Sequence, residues 1–506
     1  MNLQCKFLQT YSKFSEFIQA LFDPDVEKRH PLFSTIWLSL LYLTGIYFWG
    51  VFFNWGHTPL NYHDWRTINL PRLDVIRDAL VYGELPLHVT RVNFLHFVTD
   101  RFFTIPDVIT TPQQIVLYWI DIDTFAIFDL LIEFTIGAIG LYFFKRKYDI
   151  SLFAFSIMYF LFSFNGYIQS HYSVGHITWG GYYLFPLLIL FVTDFFDGQQ
   201  NWLWVAKVAF LLFYMVLIGS IHHFVWSLIF LGGVGLVAWK KIQWIFGAGF
   251  FAGMISAARL LPPVLVIPAI KLSGTFEFRT GFPYIQDVFS SLMFVRSIDY
   301  RFPSLPALWF DSTHYWEFNI YVGLAGTFII LWFGIIRWMA DLRSKKRFSQ
   351  LMLPALVVFL LSVGQNYKLM ILLHIPLFAT ERVTSRLIGL PFVVVIMISA
   401  FFLSEWLQKK PAFLRYVLSF FGLFLLVKDL FMHVNFWGIK TVSKALVKGY
   451  GRVLVQGNSI SNHSDPPYIA ILLIGIALTV VFSLLLLTLV YREQYSHVKT
   501  MIQPDG

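Results

Sequence analysis

The sequence predicts an all-α polytopic membrane protein with about 12 transmembrane helices and a helical first outer loop. Three observations lead there. Apolar residues make up 57% of the 506 and charged residues only 13%, roughly half the charge of a soluble chain of this length. Uncharged apolar stretches of about 20 residues recur from one end to the other, each long enough to cross a hydrocarbon core of roughly 30 Å. Basic residues gather in alternate connectors. No soluble fold hides so many runs of spanning length, which excludes that class.

The expected spans are 33–54, 115–143, 151–168, 178–196, 202–219, 222–239, 242–269, 318–336, 350–365, 385–407, 413–433 and 468–491. Their number is even, so both ends share one side. Lys28 and Arg29, Lys145 to Lys147, Lys240 and Lys241, Arg343 to Arg347, and Lys409 and Lys410 fall on that side. Connectors 169–177 and 220–222, on the other side, carry no Lys or Arg. This positive-inside pattern puts both termini in the cytoplasm. The net charge of +9 therefore reads as orientation in a lipid bilayer, and no nucleic acid is expected as a partner.

Cys5 is the single cysteine, which excludes an internal disulfide and any cysteine-based metal site. Acidic and polar residues interrupt the first segment, so it is not read as a cleavable signal. Leu3, Phe7, Phe14, Ile18 and Leu21 fall near helical spacing and predict an amphipathic helix over 2–22, lying on the inner membrane surface. The expected organisation is a cytoplasmic amphipathic segment at 1–32, a transmembrane core at 33–410 with outer loops 55–114 and 270–317, and C-terminal transmembrane helices at 411–506 with outer loop 434–467. No internal repeat is visible. All of the histidines except His30 and His497 fall in outer segments or near the outer ends of spans.

Loop 55–114 is the most informative part. Asn69 can cap a helix with Pro71 near its start; Leu70, Leu73, Ile76 and Leu80 form one stripe; Gly83 can end it. A second amphipathic piece is expected from Val92 to Phe103. Thr111-Pro112-Gln113-Gln114 reads as a capping box that opens the second span. Just ahead of the first of these helices stands Tyr62-His63-Asp64-Trp65. A carboxylate at the membrane–water boundary suits transfer of a sugar from a phosphate-linked lipid to a hydroxyl, because the acceptor proton needs a general base. A phosphate leaving group needs little acid help, so one carboxylate suffices. The alternative reading is an aspartate that simply faces water.

Asp64 after the first span, followed by Ala79-Leu80-Val81-Tyr82-Gly83-Glu84-Leu85-Pro86, resembles the first outer loop of integral membrane glycosyltransferases of the GT-C fold. Phe164-Asn165-Gly166, Gly175-His176 with the later Pro186, and Ala257-Ala258-Arg259-Leu260-Leu261-Pro262 are similar to the bacterial YfhO-like branch. The resemblance covers roughly 33–400; nothing in 411–506 matches it. It implies a bacterial cytoplasmic membrane, an extracytoplasmic active site and Asp64 as the catalytic residue.

Intramembrane charges supply the remaining candidates. Asp129 and Glu133 share one face of the second span, and Arg259 lies inside the seventh; a buried pair or triad among them is expected, since isolated charges there cost several kcal/mol. Arg382 and Arg386, four apart at the mouth of the tenth span, can grip the phosphate of a polyprenyl-phosphate sugar donor, with Arg259 assisting, or can merely snorkel to headgroups. His63, His171, His176 and Trp65 are the candidates for acceptor or sugar binding, with Trp179 as a second stacking ring. His171 and His176 suit hydrogen bonds to sugar hydroxyls or to Asp64. Some relatives in the fold use a divalent metal, for which Asp121 and Asp123 are weak ligands: residues two apart on a helix point about 200° apart. The acceptor is a glycan, lipid or protein hydroxyl, shaped by loops 270–317 and 434–467. The rival expectations are a transporter or flippase of a lipid-linked or anionic solute, and a catalytically silent scaffold.

Overall fold

The computed structural model describes residues 15–90, 99–266, 281–295, 315–342, 348–372, 381, 383–446 and 459–502. Each apolar segment is helical. Among the described residues, eight helices are long and apolar enough to cross a membrane: Pro31–Phe52, Ile122–Lys147, Leu152–Val174, Ile177–Phe196, Trp316–Asp341, Thr384–Gln408, Ala412–Leu446 and Pro466–Ser496. A ninth candidate is the pair Ile221–Val237 and Trp239–Ile255, bent by 113°. The chain is an all-helical, multi-pass membrane protein. Among the described residues, pairing outside helices is limited to three isolated bridges.

The expected count of about 12 thus becomes eight or nine by length and composition. Segments 202–219 and 350–365 form helices of 16 and 13 residues, Trp202–Leu217 and Ser349–Leu361, short of the ~20 that a straight crossing takes. Segment 242–269 stops at Ile255 and continues as the short turns Ala257–Leu260 and Pro262–Leu265. Pro262 and Pro263 together remove two backbone donors, which ends a helix. Ala412–Trp437 and Ile439–Leu446 run past the expected start of loop 434–467, breaking only at Gly438.

Leu152–Val174 forms the centre. Its apolar window is wholly buried, and that of Thr384–Gln408 is 94% buried, against 17% for Pro466–Ser496, which is left to face lipid. Glycine lets the central helices close up: a Cβ on Gly137 or Gly140 would lie 3.0 Å from Tyr183 O or from Pro186 Cβ, a use of small residues typical of packing within a bilayer. At the end of Pro31–Phe52 away from Asp64, Lys145 and Glu27 form a buried pair at 2.6 Å. Residues 2–14 of the expected amphipathic helix lie outside the described residues; residues 15–22 are helical, and Phe22 stacks on Phe153 at 5.0 Å.

In loop 55–114 the stripe forms the helix Leu70–Tyr82, ended by left-handed Gly83 at φ 68°. Asn69 does not cap it; a π turn, Trp65–Asn69, leads in. Of the second piece, 91–98 lies outside the described residues, and the rest is a bridge and a 3-10 turn. The capping box at Thr111 does not form. Gln113 and Gln114 instead bond Asp129 at 3.0 Å and Ile109 O at 2.7 Å, and the second span begins at Ile122, capped by Asp121.

Candidate functional site

Asp64 is positioned by two chain segments pressed together. Helix Gly166–Val174 ends on Gly175 at φ 100°. A Cβ there would lie 2.3 Å from Trp65 N and 2.8 Å from the Asp64 carbonyl carbon, so only glycine allows this approach. Asn69 locks it by donating from Nδ2 to the carbonyls of Gly175 and Asp64. Trp65 adds a bond from Nε1 to Tyr172 O at 3.0 Å; its ring is wholly buried and offers no stacking face.

The carboxylate then meets two imidazoles. His176 Nε2 lies 3.1 Å from Asp64 Oδ2, and His63 Nδ1 lies 3.2 Å from Oδ1 and 3.1 Å from Val174 O. Two oxygen acceptors on His63 Nδ1 assign the proton to that nitrogen. His63 itself holds a left-handed φ of 44°, a strained conformation of the sort that collects at functional sites. His176 Nδ1 faces His171 Nδ1 at 2.7 Å. If His176 donates to Asp64, His171 must donate to His176, which leaves His171 Nε2 buried and unpartnered. Asp64, His176 and His171 form a hydrogen-bonded row.

Burial would push the Asp64 carboxyl up, but the bonds from His176 and His63 hold it well below the usual carboxylate range. Burial lowers His63, and Asp64 outweighs it, so that imidazole is raised. For His176 burial wins, aided by the charge of Arg386, and its pKa is lowered. Asp64 is thus a permanent anion beside one imidazole that favours charge and one that favours neutrality.

Trp179 joins this row to Arg386 and to charges around it that the sequence did not single out. His171 stacks on its ring at 4.5 Å and the Arg386 guanidinium lies 4.8 Å from the ring centre, so Trp179 is covered by protein groups. Arg386 donates through Nε and Nη2 to Glu317 at 2.6 and 2.5 Å, and Trp316 Nε1 bonds the same carboxylate at 3.0 Å. Glu381 accepts from His222 Nδ1 and, at 3.1 Å, from Trp226 Nε1. Burial opposes the charge on Glu381, but His222 and Arg386 keep it lowered. Glu317, Glu381 and His222 were missed because each finds its partner far along the chain. The one local signal was an acid at the lip of an apolar segment.

The other expected site residues sit apart. Arg382 lies outside the described residues. Arg259 donates to the carbonyls of Phe103, Ile105, Pro106 and Val108 at 3.0–3.4 Å, so it anchors the end of loop 55–114. The expected triad with Asp129 and Glu133 does not form: Asp129 bonds Gln113 at 3.0 Å and Glu133 bonds Tyr172 at 3.1 Å. Asp121 accepts from the amide and hydroxyl of Thr124 at 2.8 Å each, and Asp123 accepts from Leu60 N at 3.4 Å. A candidate divalent-metal cluster exists elsewhere, in His88, His463 and Asp465, whose ligand atoms lie within 4.8 Å of one another. No family model matches the chain, and neither does any curated protein or solved structure.

Proposed function

We propose that this chain is a membrane glycosyltransferase of the GT-C type, similar to the YfhO-like branch, transferring a sugar from a polyprenyl-phosphate donor to an extracytoplasmic hydroxyl with inversion. In this reading there are about 12 crossings, with the short helices Trp202–Leu217 and Ser349–Leu361 among them, in a bacterial cytoplasmic membrane with both termini inside. One observation supports it most: Asp64, ionised between His63 and His176, shares the surroundings of Trp179 with Arg386. A general base and a cation thereby flank one region.

The acceptor oxygen attacks the anomeric carbon, the bond from that carbon to the phosphate oxygen breaks with its electron pair on the phosphate, and Asp64 takes the acceptor proton. A carboxylate held down by two imidazoles is a weak base. An acceptor hydroxyl that displaces the His63 bond raises its basicity as it binds, and His63 and His176 then orient that hydroxyl. Glu317 leaves Nη1 of Arg386 for the donor phosphate, and His222, held by Glu381, adds a second donor to it. Arg382 belongs to the same set. Arg259, bonded to four carbonyls, serves the loop.

The test is transfer of radiolabelled sugar by membranes from cells lacking the protein, complemented with wild type or Asp64→Asn. Loss of transfer is expected for the variant; equal rates remove Asp64 from the mechanism. Asp129 and Glu133, buried in the second span with one unpartnered oxygen each, favour a second reading as a transporter of an anionic or lipid-linked solute. Glu133→Gln that abolishes export while Asp64→Asn preserves it selects that reading.

A further inference from the structure

A seam joins loop 55–114 to the segment ahead of the last span. Val89 bridges Ile460. Asn462 Oδ1 accepts the amides of Leu87 and His88 at 3.1 Å each. Ser459 donates to Asp78 Oδ2 from its amide at 2.8 Å and its hydroxyl at 2.5 Å. Within this seam His88, His463 and Asp465 converge. His88 Nε2 stands 3.3 Å from Asp465 Oδ2, and ligands about 2.1 Å from a tetrahedral ion stand about 3.4 Å apart. His88 is wholly buried and turns Nε2 toward the carboxylate, so that nitrogen is the one placed to ligate.

We propose that His88, His463 and Asp465 form a zinc site that clips the first loop to the last. Two imidazoles and one carboxylate are a borderline donor set that suits zinc; magnesium and calcium prefer shells made of oxygen. Arg101 bonds Asp465 through Nε to Oδ2 at 2.6 Å and Nη2 to Oδ1 at 3.1 Å. Each carboxylate oxygen has about two acceptor sites, so Oδ2 can keep Arg101 and still ligate. Arg101 then orients the ligating carboxylate from outside, as hydrogen-bond partners of metal ligands do. The second ring, half-exposed His463, has Asp100 3.6 Å from Nε2 and Ser461 O 3.4 Å from Nδ1; ligation takes one of these nitrogens and leaves the other to its partner, which orients the ring. The ligands come from segments some 375 residues apart in sequence, so the ion ties together chain that local structure cannot.

Zinc chloride titrated into the purified full chain in nanodiscs tests this by calorimetry, with bound metal counted by mass spectrometry and cobalt as a spectroscopic stand-in. One zinc per chain, a tetrahedral cobalt spectrum, a higher melting temperature on loading and no competition by magnesium are expected. His463→Gln replaces a half-exposed side chain and leaves the fold intact; its zinc affinity falls by about a hundredfold and the melting shift disappears. Asp465→Asn behaves likewise. Wild-type zinc affinity in His463→Gln, or a wild type that retains no zinc after dialysis, overturns the proposal.

Discussion

Asp64 and Asp465 each carry a histidine on one carboxylate oxygen, but the rest of their surroundings differ in kind. Asp64 is met by two imidazoles, at 3.1 and 3.2 Å. Asp465 is met by one imidazole at 3.3 Å and by one edge of the Arg101 guanidinium, through Nε and Nη2. A guanidinium stays charged and exchanges no proton, whereas an imidazole changes charge near neutrality. The Asp64 neighbourhood can therefore move a proton, and the Asp465 neighbourhood holds a position. The Asp64 row leads on through His176 to His171, both buried, while Asp465 pairs with buried His88 and lies beside half-exposed His463. One carboxylate–histidine pair thus suits chemistry and the other suits fastening.

The largest expected effect breaks the two clusters apart. Asp64→Asn should lower sugar transfer by about 10²–10⁴-fold and leave zinc affinity unchanged. Loss of both together would mean that the clusters act as one site. Next comes Glu317→Gln, which leaves Arg386 buried without its carboxylate. Removing one partner of a buried pair costs about 3–5 kcal/mol, so the melting temperature in detergent should fall steeply; an unchanged melting curve shows that the pair is not what holds this end of the bundle. Gly175→Ala is smaller: a left-handed φ together with a Cβ 2.3 Å from Trp65 N should cost about 1–3 kcal/mol and reduce transfer by displacing Asp64 from His176. Transfer at the wild-type rate in this variant would show that the close approach is dispensable.

Some of this was legible in the amino-acid order. Span-length apolar runs fixed the helical, membrane-crossing class, because in a bilayer every backbone group must be satisfied within its own helix. Asp64 stood out because of its place just past the first span, and His176 because a short loop confines it. The count of crossings is supported only as eight or nine by length and composition, because Pro262 and Pro263 stop one helix and Trp202–Leu217 and Ser349–Leu361 are short, and hydropathy registers composition and not straightness. Arg259 was misread for a different reason. The sequence reveals an intramembrane arginine but not the backbone at 103–108 whose carbonyls it comes to bind. Glu317 and Glu381 were invisible as site residues because their partners, Arg386 and His222, lie 69 and 159 positions away. His88 and Asp465 were hidden by the same distance effect, on an even longer scale.

The smallest effect is the sharpest probe of the Asp64 side, because it isolates one proton. His63 is raised by Asp64 despite burial, Asp64 is lowered, and His176 is lowered. A raised imidazole stabilises the fold fully below its ordinary value near 6.5, and that contribution is lost as pH rises through the raised value. The stabilisation from Asp64 is present above the ordinary carboxylate value near 3.9 and is lost only on strong acidification, so it is constant around neutrality. Lowered His176 acts on the acidic side, where a buried neutral ring resists protonation. His63 therefore contributes to the stability slope above about pH 6.5. The melting temperature of the wild type should decline from pH 6.5 toward pH 9, and in His63→Gln that decline should become shallower while the acidic limb remains. A variant whose alkaline decline is as steep as the wild type's would show that His63 is not the group charged by Asp64. Asp64 would then face its acceptor with one histidine, and the contrast with the guanidinium-gripped Asp465 would rest on His176 alone.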